Sequence, residues 1–382
     1  MKNLWSKRKI NILAVFDWDE VNGLMQMWKE YSTHPSVDPD TVAINLLNDV
    51  NTSPCILVVT KEGEPRGLVI GLIKEVKMQF KIGYLTLIRS KAKVITILER
   101  GIIIKQDTEI SSDICEAIYV LMGDIGADFC HFACINETSI IRKAAREVFG
   151  KYLVEGGIEK RWYLNLPCSF DEFMRNLSPG IRRDVKWRGK KLKKLYPDTF
   201  AKSISPKKGQ ELDLYSEAIK VFKKTYQAKL GLSNFDSNYV KRKWEILKQL
   251  KKLIASVVYI NQEPVAFGYG HMFKSTVYFE ETGYDPIFKK AYIGEAVWIE
   301  IIKNAIESGG KVLDYGLGDS EKKRQFASSF YLEGHLTCWS TSKRARRLMA
   351  MKKYSIKIND LLRNSLKKIG IYERAKRLMR TI

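Results

Sequence analysis

The chain has little of what metal proteins, disulfide-stapled proteins and membrane-spanning proteins are built from. It holds four histidines, too few to assemble a histidine-rich metal centre. Its six cysteines are Cys55, Cys115, Cys130, Cys134, Cys168 and Cys338. They form no paired framework for a chain of this size, so reduced thiols are expected. Cys130, His131 and Cys134, with His335 and Cys338, sketch a zinc site. The stretch Asp128–Ile135 (DFCHFACI), however, reads as an apolar buried strand, where free cysteine is an ordinary core residue. No run approaches the roughly 20 apolar residues of a membrane span. The start, MKNLWSKRKINILAVF, lacks a long apolar segment and a small-residue cleavage site. It reads as a strand rather than an export signal, which gives a cytoplasmic expectation. Acids are the last shortage: 65 Lys and Arg against 43 Asp and Glu leave a net charge of +22.

What is present is a folded chain. Its 382 residues exceed one ordinary core, so two domains are expected. A hydrophobic content of 45% argues against disorder. In the first half, helices are expected over 18–31, 38–50, 111–123 and 138–148. Strands are expected over 56–60, 66–76, 83–87, 129–135 and 159–166, with Glu62-Gly63-Glu64-Pro65 as a hairpin turn. In the second half, 178–195, 210–229 and 238–253 read as helices. Residues 256–260, 264–272 and 276–283 are rich in Val, Tyr and Phe and separated by turn signals, which is the pattern of an antiparallel meander.

The stretch from Val277 to Phe326 carries the most information. A strand (VYFEETGYDP) leads through a basic loop into an amphipathic helix (FKKAYIGEAVWIEIIKNAIESGG). Gly309-Gly310 stops that helix, and an apolar strand ends in an acidic, glycine-broken loop (KVLDYGLGDSEKKRQF). A strand feeding a helix N-terminus presents unpaired N–H groups and a positive dipole end to one spot, suited to a phosphate-bearing cofactor. Lys289 and Lys290 sit just before it.

The order of these elements resembles the GNAT acyl-CoA N-acyltransferase superfamily. It is similar in particular to the CelD-type branch named after cellulose biosynthesis, itself related to FemABX peptidyltransferases. Three segments carry the likeness: the basic helix Ser178–Leu195, of form S-x-x-x-R-x-x-x-x-x-R; GYDPIFKKAYIGEAVWIEIIKNAI; and LDYGLGDSEKKRQF. The last places Asp314, Gly318, Asp319 and Lys323 on family positions. The resemblance implies an α/β fold with mixed sheets: tandem GNAT-like domains over 1–166 and 167–340, then a basic helical tail over 341–382. The first domain, lacking a basic phosphate loop, would shape the acceptor site. The implied activity moves an acyl group, acetyl first, from acetyl-CoA or another acyl-CoA to an amine on a sugar, polysaccharide or cell-envelope precursor. Lys289, Lys290, Ile293, Gly294, Glu295 and Ala296 would hold the donor. One departure stands out: the family's pyrophosphate loop is Q/R-x-x-G-x-G/A, and Ala291 occupies the Gln/Arg place. An aminoacyl-tRNA-dependent FemABX-like activity is the alternative, although 210–253 shows no coiled-coil arm. A non-enzymatic nucleic-acid binder would explain the charge but not the strand–helix–strand unit.

Acyl transfer needs a polarised carbonyl, a deprotonated acceptor and a protonated leaving thiolate. Direct transfer requires no nucleophilic side chain, so the absence of a Ser–His–Asp pattern is no objection. Glu280 and Glu281 are base candidates, since strand alternation turns one of them to the cleft. Asp314 and Asp319 could orient or deprotonate the acceptor, and Tyr315 and Tyr331 could protonate the thiolate. Arg182, Arg183 and Lys323 could bind acceptor phosphate. Each has a plain alternative: strand glutamates at the surface, Asp319 as the cap of a helix over 321–330, tyrosines in the core, arginines in solvent.

Charge concentrates in two places. Residues 181–194 hold eight bases and one acid, and 341–382 hold fourteen bases and two acids. The tail also carries an apolar stripe of Ile358, Leu362, Leu366, Ile369, Tyr372, Ala375 and Met379. It suits peripheral contact with an anionic membrane, a nucleic-acid patch, a dock for a polyanionic substrate, or simply a solvated helix packed on its own domain.

Overall fold

The computed structural model describes residues 2–368 except 8, 48–50, 83–84, 105–107, 209–212 and 232. The end of the expected helix 38–50, the starts of strand 83–87 and helix 210–229, and the tail beyond 368 lie outside the described residues. The chain divides into two compact units, Met1–Ile158 with Glu333–Ile382, and Glu159–Leu332.

The first unit begins with paired strands β1 (Lys2–Lys7) and β2 (Ile10–Val15). Helices α1 (Trp18–Asn22), α2 (Met25–Tyr31) and α3 (Pro39–Leu47) follow. The expected single helix over 18–31 is two, because Gly23 closes α1 by donating to the Val21 carbonyl. Next come β3 (Thr52–Lys61), β4 (Glu64–Ile82) and β5 (Leu85–Ile104), an antiparallel meander. The Glu62-Gly63 turn adopts positive φ at both residues, 57° and 85°, as a tight hairpin requires. β4 and β5 reach 19 and 20 residues, far beyond the expected strands. Their outer halves form an arm whose alternating lysines and glutamate hide the strand pattern. It is the cross-strand pairing, in one register from Lys74–Val94 to Phe80–Ile88 and shifted by a residue from Lys81–Thr86 to Ile82–Leu85, that extends them. Then follow α4 (Thr108–Asp124), β6 (Phe129–Asn136), α5 (Ile140–Phe149) and β7 (Leu153–Asn165), within which the chain passes to the second unit.

The second unit continues with α6 (Phe170–Asn176), α7 (Pro179–Leu195), β8 (Phe200–Ile204), α8 (Leu214–Phe222), α9 (Tyr226–Lys229) and α10 (Asn238–Gln249). Ser178 caps α7 with Pro179 at its first position, as the sequence predicts. The helix expected over 210–229 is interrupted at Thr225, whose hydroxyl accepts from the Ala228 N–H and starts α9. The meander is β9 (Leu253–Ile260), β10 (Glu263–Phe273) and β11 (Thr276–Tyr284). A 3-10 turn, Pro286–Ala291, leads into α11 (Ile293–Glu307), then β12 (Val312–Leu317) and α12 (Glu321–Phe326). The helix expected to run to 330 stops at Phe326, since Ser329 already begins β13 (Ser329–Trp339). From Glu333 the chain is back in the first unit, where β13 pairs antiparallel with β6 and α13 (Lys343–Lys368) follows. That pairing is why the units do not divide at 166 and 340.

Each unit is a sheet covered on both faces. The first unit's sheet packs α4 and α5 on one side around Ile95, Ile114 and Phe132, and the α1–α2 segment on the other around Trp28 and Ile70. The second unit's sheet packs α6, α7 and α11 on one face around Val277, Trp298 and Leu313. Its other face carries α8 and α10 around Phe222, Trp244 and Tyr269. In each unit one neighbouring pair is parallel and short: β5–β6 over Val94–Ile97, and β11–β12 over Thr276–Tyr278. The two units therefore repeat one arrangement, a parallel pair that parts after three or four residues.

Candidate functional site

The site of interest in the second unit is where β11 and β12 part. Pairing ends at Tyr278–Asp314, and aromatic rings fill the gap beyond it. Phe279 and Trp298 lie 4.9 Å apart and Trp298 and Tyr315 5.1 Å apart, centroid to centroid. Phe279 and Tyr315 meet edge-on at 6.3 Å. Tyr315 is 3% exposed, and its hydroxyl has no hydrogen-bond partner among the described residues. Burial pushes its pKa well up, so it holds its proton. A buried hydroxyl without a partner costs free energy.

The two aspartates are engaged. Asp314 is buried, shares the Arg161 Nε–H between its two oxygens, at 2.8 and 3.1 Å, and accepts from the Gly316 N–H at 2.7 Å. Asp319 pairs with Arg324 at 2.5 Å on the surface. Ser320, not Asp319, caps α12, its side chain accepting from the Lys323 N–H. Lys323 donates to the carbonyls of Gly316, Leu317 and Gly318 at 3.1, 2.6 and 3.2 Å, holding the loop after β12 closed on itself. Burial lowers its pKa.

Glu280 and Glu281 do not alternate. A register shift opposes Tyr269 to Glu281 and Gly270 to Phe279, so Glu280 is the extra residue of a β-bulge. Glu280 accepts from Lys243 Nζ of α10 at 2.7 Å and lies 3.0 Å from His271 Nδ1. Burial by itself would raise its pKa, but the Lys243 charge and hydrogen bonds from His271 and Lys243 outweigh that. Its carboxyl stays well below the usual 4.5. Glu281 behaves oppositely: burial raises its pKa against a hydrogen bond with Ser233.

The start of α11 is built tightly. Tyr292 adopts a left-handed conformation, φ 61°. Gly294 is needed because a Cβ there would lie 2.9 Å from the Tyr284 ring. Ala291 and Ile293 are buried, while Lys289 and Lys290 are exposed. Glu295 is 5% exposed, and one of its oxygens takes Arg188 Nη1 at 2.5 Å and Lys322 Nζ. Its other oxygen, Oε1, has no partner among the described residues. Arg188 and Lys191 of α7 stand over the Tyr292 ring at 5.1 and 5.2 Å, and the Trp187 ring meets it edge-on at 5.7 Å. The basic face of α7 is thereby fixed at the first turn of α11. A cavity of about 310 Å³ between them is lined by Leu192, Ala296 and Ile299, among others. Arg183 is exposed, and Arg182 donates to the Arg175 carbonyl at 3.4 Å.

Sequence reasoning put Tyr315 and the α11 loop in one neighbourhood. It missed Lys243, His271 and Arg161, which lie outside the three motif segments, and Lys322, which lies inside the last of them beside Lys323. The cysteine–histidine group forms no ligand set. Cys130 and Cys338 face each other on β6 and β13, with thiols pushed well up by burial. The His131 and His335 rings stack at 5.2 Å. The one group among the described residues close enough to hold a metal is Glu99, Cys134 and Glu333, and Arg100 already pairs with Glu333 at 2.7 Å.

Residues 181–324 match the acetyltransferase (GNAT) domain family model. That segment resembles a GNAT domain. Solved structures share the fold more widely. A structure of FemX superposes with TM-score 0.53 and 12% identity, covering 86% of this chain and 97% of that one. A tandem GNAT protein from the clavulanic acid biosynthesis pathway gives 0.51 and 9%, covering 87% and 99%. The C-terminal domain of a protein described as a lysylphosphatidylglycerol synthetase, from Agrobacterium fabrum, gives 0.51 and 9%, covering 87% and 95%. At such identities the likeness is one of fold. No curated protein sequence matches the chain.

Proposed function

We propose that the second unit is an N-acyltransferase that takes its acyl group, acetyl first, from acyl-CoA and passes it to an amine of a sugar, polysaccharide or cell-envelope precursor. The observation that carries this reading is the Tyr315 hydroxyl, buried and unpartnered where β11 and β12 part. A thioester carbonyl or a departing thiolate accepts a hydrogen bond, and a hydroxyl whose pKa is raised by burial is a protonated donor placed for it. The first-turn N–H groups of α11, with exposed Lys289 and Lys290 before them and Arg188 and Lys191 beside them, would receive the donor's phosphates. Glu281, whose pKa is raised, is better suited than Glu280 to take the acceptor's proton. Asp314 would order the loop after β12 rather than act as a base. A cell-envelope acceptor would be met at the membrane surface, where the basic tail, 341–382, would make a peripheral contact.

A second reading has its own support. Glu295 puts a buried acid with an unpartnered acceptor oxygen in the first turn of α11, and a pyrophosphate offers that oxygen nothing to bond. An aminoacyl-tRNA donor, whose ammonium and base edges donate hydrogen bonds, suits it better.

Thermal-shift titration separates the two. Acetyl-CoA at 100 times its Kd should stabilise the chain by about 2.7 kcal/mol, and Lys289→Ala/Lys290→Ala should weaken the effect. No shift at millimolar acetyl-CoA or CoA would sink the first reading, and a shift with aminoacyl-tRNA would then establish the second.

A further inference from the structure

Helix α13 and the β4–β5 arm meet in the first unit. Ser355 Oγ and Asn359 Nδ2 donate to the Lys81 carbonyl at 2.6 and 2.9 Å, and Arg344 Nη2 donates to the Lys91 carbonyl at 2.7 Å. Beneath the helix, Ala345 and Leu348 are buried with Phe80 and Trp339. Beside that packed side, α13 leaves a group of apolar residues uncovered. Tyr354, Ile358, Leu361 and Leu362 recur at spacings of four, three and one, which is one helix face. They are 66%, 37%, 59% and 43% exposed. At the tip of the arm, Leu87 and Ile88 are 55% and 48% exposed. Ile88 pairs across the hairpin with Phe80, one residue from the Lys81 carbonyl that α13 grips. The two apolar groups therefore belong to one region.

Both elements are basic. Helix α13 carries ten Lys and Arg against Asp360 alone, and residues 74–93 carry six against Glu75 alone. Soluble proteins rarely leave a contiguous apolar surface uncovered. Basic elements that carry one suit a partner that is anionic at its surface and apolar just beneath.

We propose that this joint face of α13 and the arm docks on an anionic lipid bilayer. Lysines and arginines would meet the headgroups, each contributing on the order of 1 kcal/mol near the surface. Tyr354, Ile358, Leu361, Leu362, Leu87 and Ile88 would enter the headgroup–acyl boundary. Nucleic acid would satisfy the charge but not the aliphatic side chains, which neither stack on bases nor hydrogen-bond to their edges. The arm is the new element: a tail on its own offers one helix, whereas the arm fixes that helix's orientation and adds a second apolar insertion. This deepens the reading of an envelope acceptor, but its test measures binding with no acyl donor present, so either can fail without the other.

The full chain is sedimented with phosphatidylcholine vesicles, with and without phosphatidylglycerol. Binding is expected only with phosphatidylglycerol, weakening as salt rises. Ile358→Ser/Leu361→Ser/Leu362→Ser and, separately, Leu87→Ser/Ile88→Ser should each weaken it by about tenfold. The melting temperature should not change, because those side chains are already exposed. Absence of binding to the anionic vesicles overturns the proposal. So does binding that both apolar variants retain in full, which would be charge alone, or tighter binding to an RNA homopolymer than to the vesicles at the same salt.

Discussion

The Arg161 side chain lies against the Asp314 carboxylate, with Nε 2.8 Å from Oδ2 and both residues buried. The pair ties β7 to β12 at the residue where β12 parts from β11. It is therefore part of what sets the angle at which the gap opens. Removing one partner leaves the other charge buried without compensation. Asp314→Ala should destabilise the fold by about 3–5 kcal/mol, whereas Arg161→Met/Asp314→Leu should recover most of that loss. Denaturant unfolding of the single and double variants measures both. A single variant as stable as the parent would show that the pair does not hold the gap.

Tyr315 separates stability from activity. Tyr315→Phe deletes a buried hydroxyl that has no partner, so the fold should become as stable or slightly more so. The acyl-transfer rate should fall by about 10²-fold, the scale of a lost general acid. A melting curve and a single-turnover rate on the same sample decide it. An unchanged rate would remove Tyr315 from the chemistry.

Glu280 predicts an acid-sensitive contribution of known sign. Its folded pKa lies below the usual 4.5, so below that pH the unfolded state binds more protons than the folded one. The contribution is complete above about pH 4.5 and is lost as pH falls through the folded value. Glu280→Gln should therefore flatten the acid side of the stability–pH curve and leave its neutral slope alone. Glu281, with a raised pKa, has the opposite sign: its contribution is present below the usual value and lost as pH rises past it. Chemical denaturation from pH 3 to pH 7 (about that range) checks both.

Gly294 is held by a neighbour rather than by its own backbone angle. A methyl at this position would sit 2.9 Å from the Tyr284 ring, closer than carbon atoms pack. Gly294→Ala should cost about 1–3 kcal/mol, and adding Tyr284→Leu should relieve it. The double variant should also regain donor binding if the start of α11 is the donor site. Thermal melting with and without acetyl-CoA tests the two statements together.

Much of the second unit was legible along the chain. The meander, α11 with its Gly-Gly stop, β12 and the capped start of α7 all follow from periodicity and capping residues, which are local properties. The arm was not, because lysine-rich strands lack a buried face and are held by pairing with each other. Three expected helices also differ: those over 18–31 and 210–229 are interrupted, at Gly23 and Thr225, and the one over 321–330 ends at Phe326. The last is cut short by the start of β13, whose partner β6 lies far away in the chain.

The sequence by itself determined that this chain folds as α/β units, that a strand–loop–helix–strand element lies near its C-terminal half, and that its charge gathers in α7 and the tail. These are matters of composition and short-range spacing. Only the tertiary structure decided which charges remain available. Lys323 is spent on three carbonyls, Asp314 on Arg161, and Glu280, displaced into a bulge, on Lys243. It also decided that α13 lies along the arm with Ala345 and Leu348 inward and Tyr354, Ile358, Leu361 and Leu362 exposed. Ion pairs, bulges and helix docking join residues tens to hundreds of positions apart, and nothing in the local pattern of one partner specifies the other.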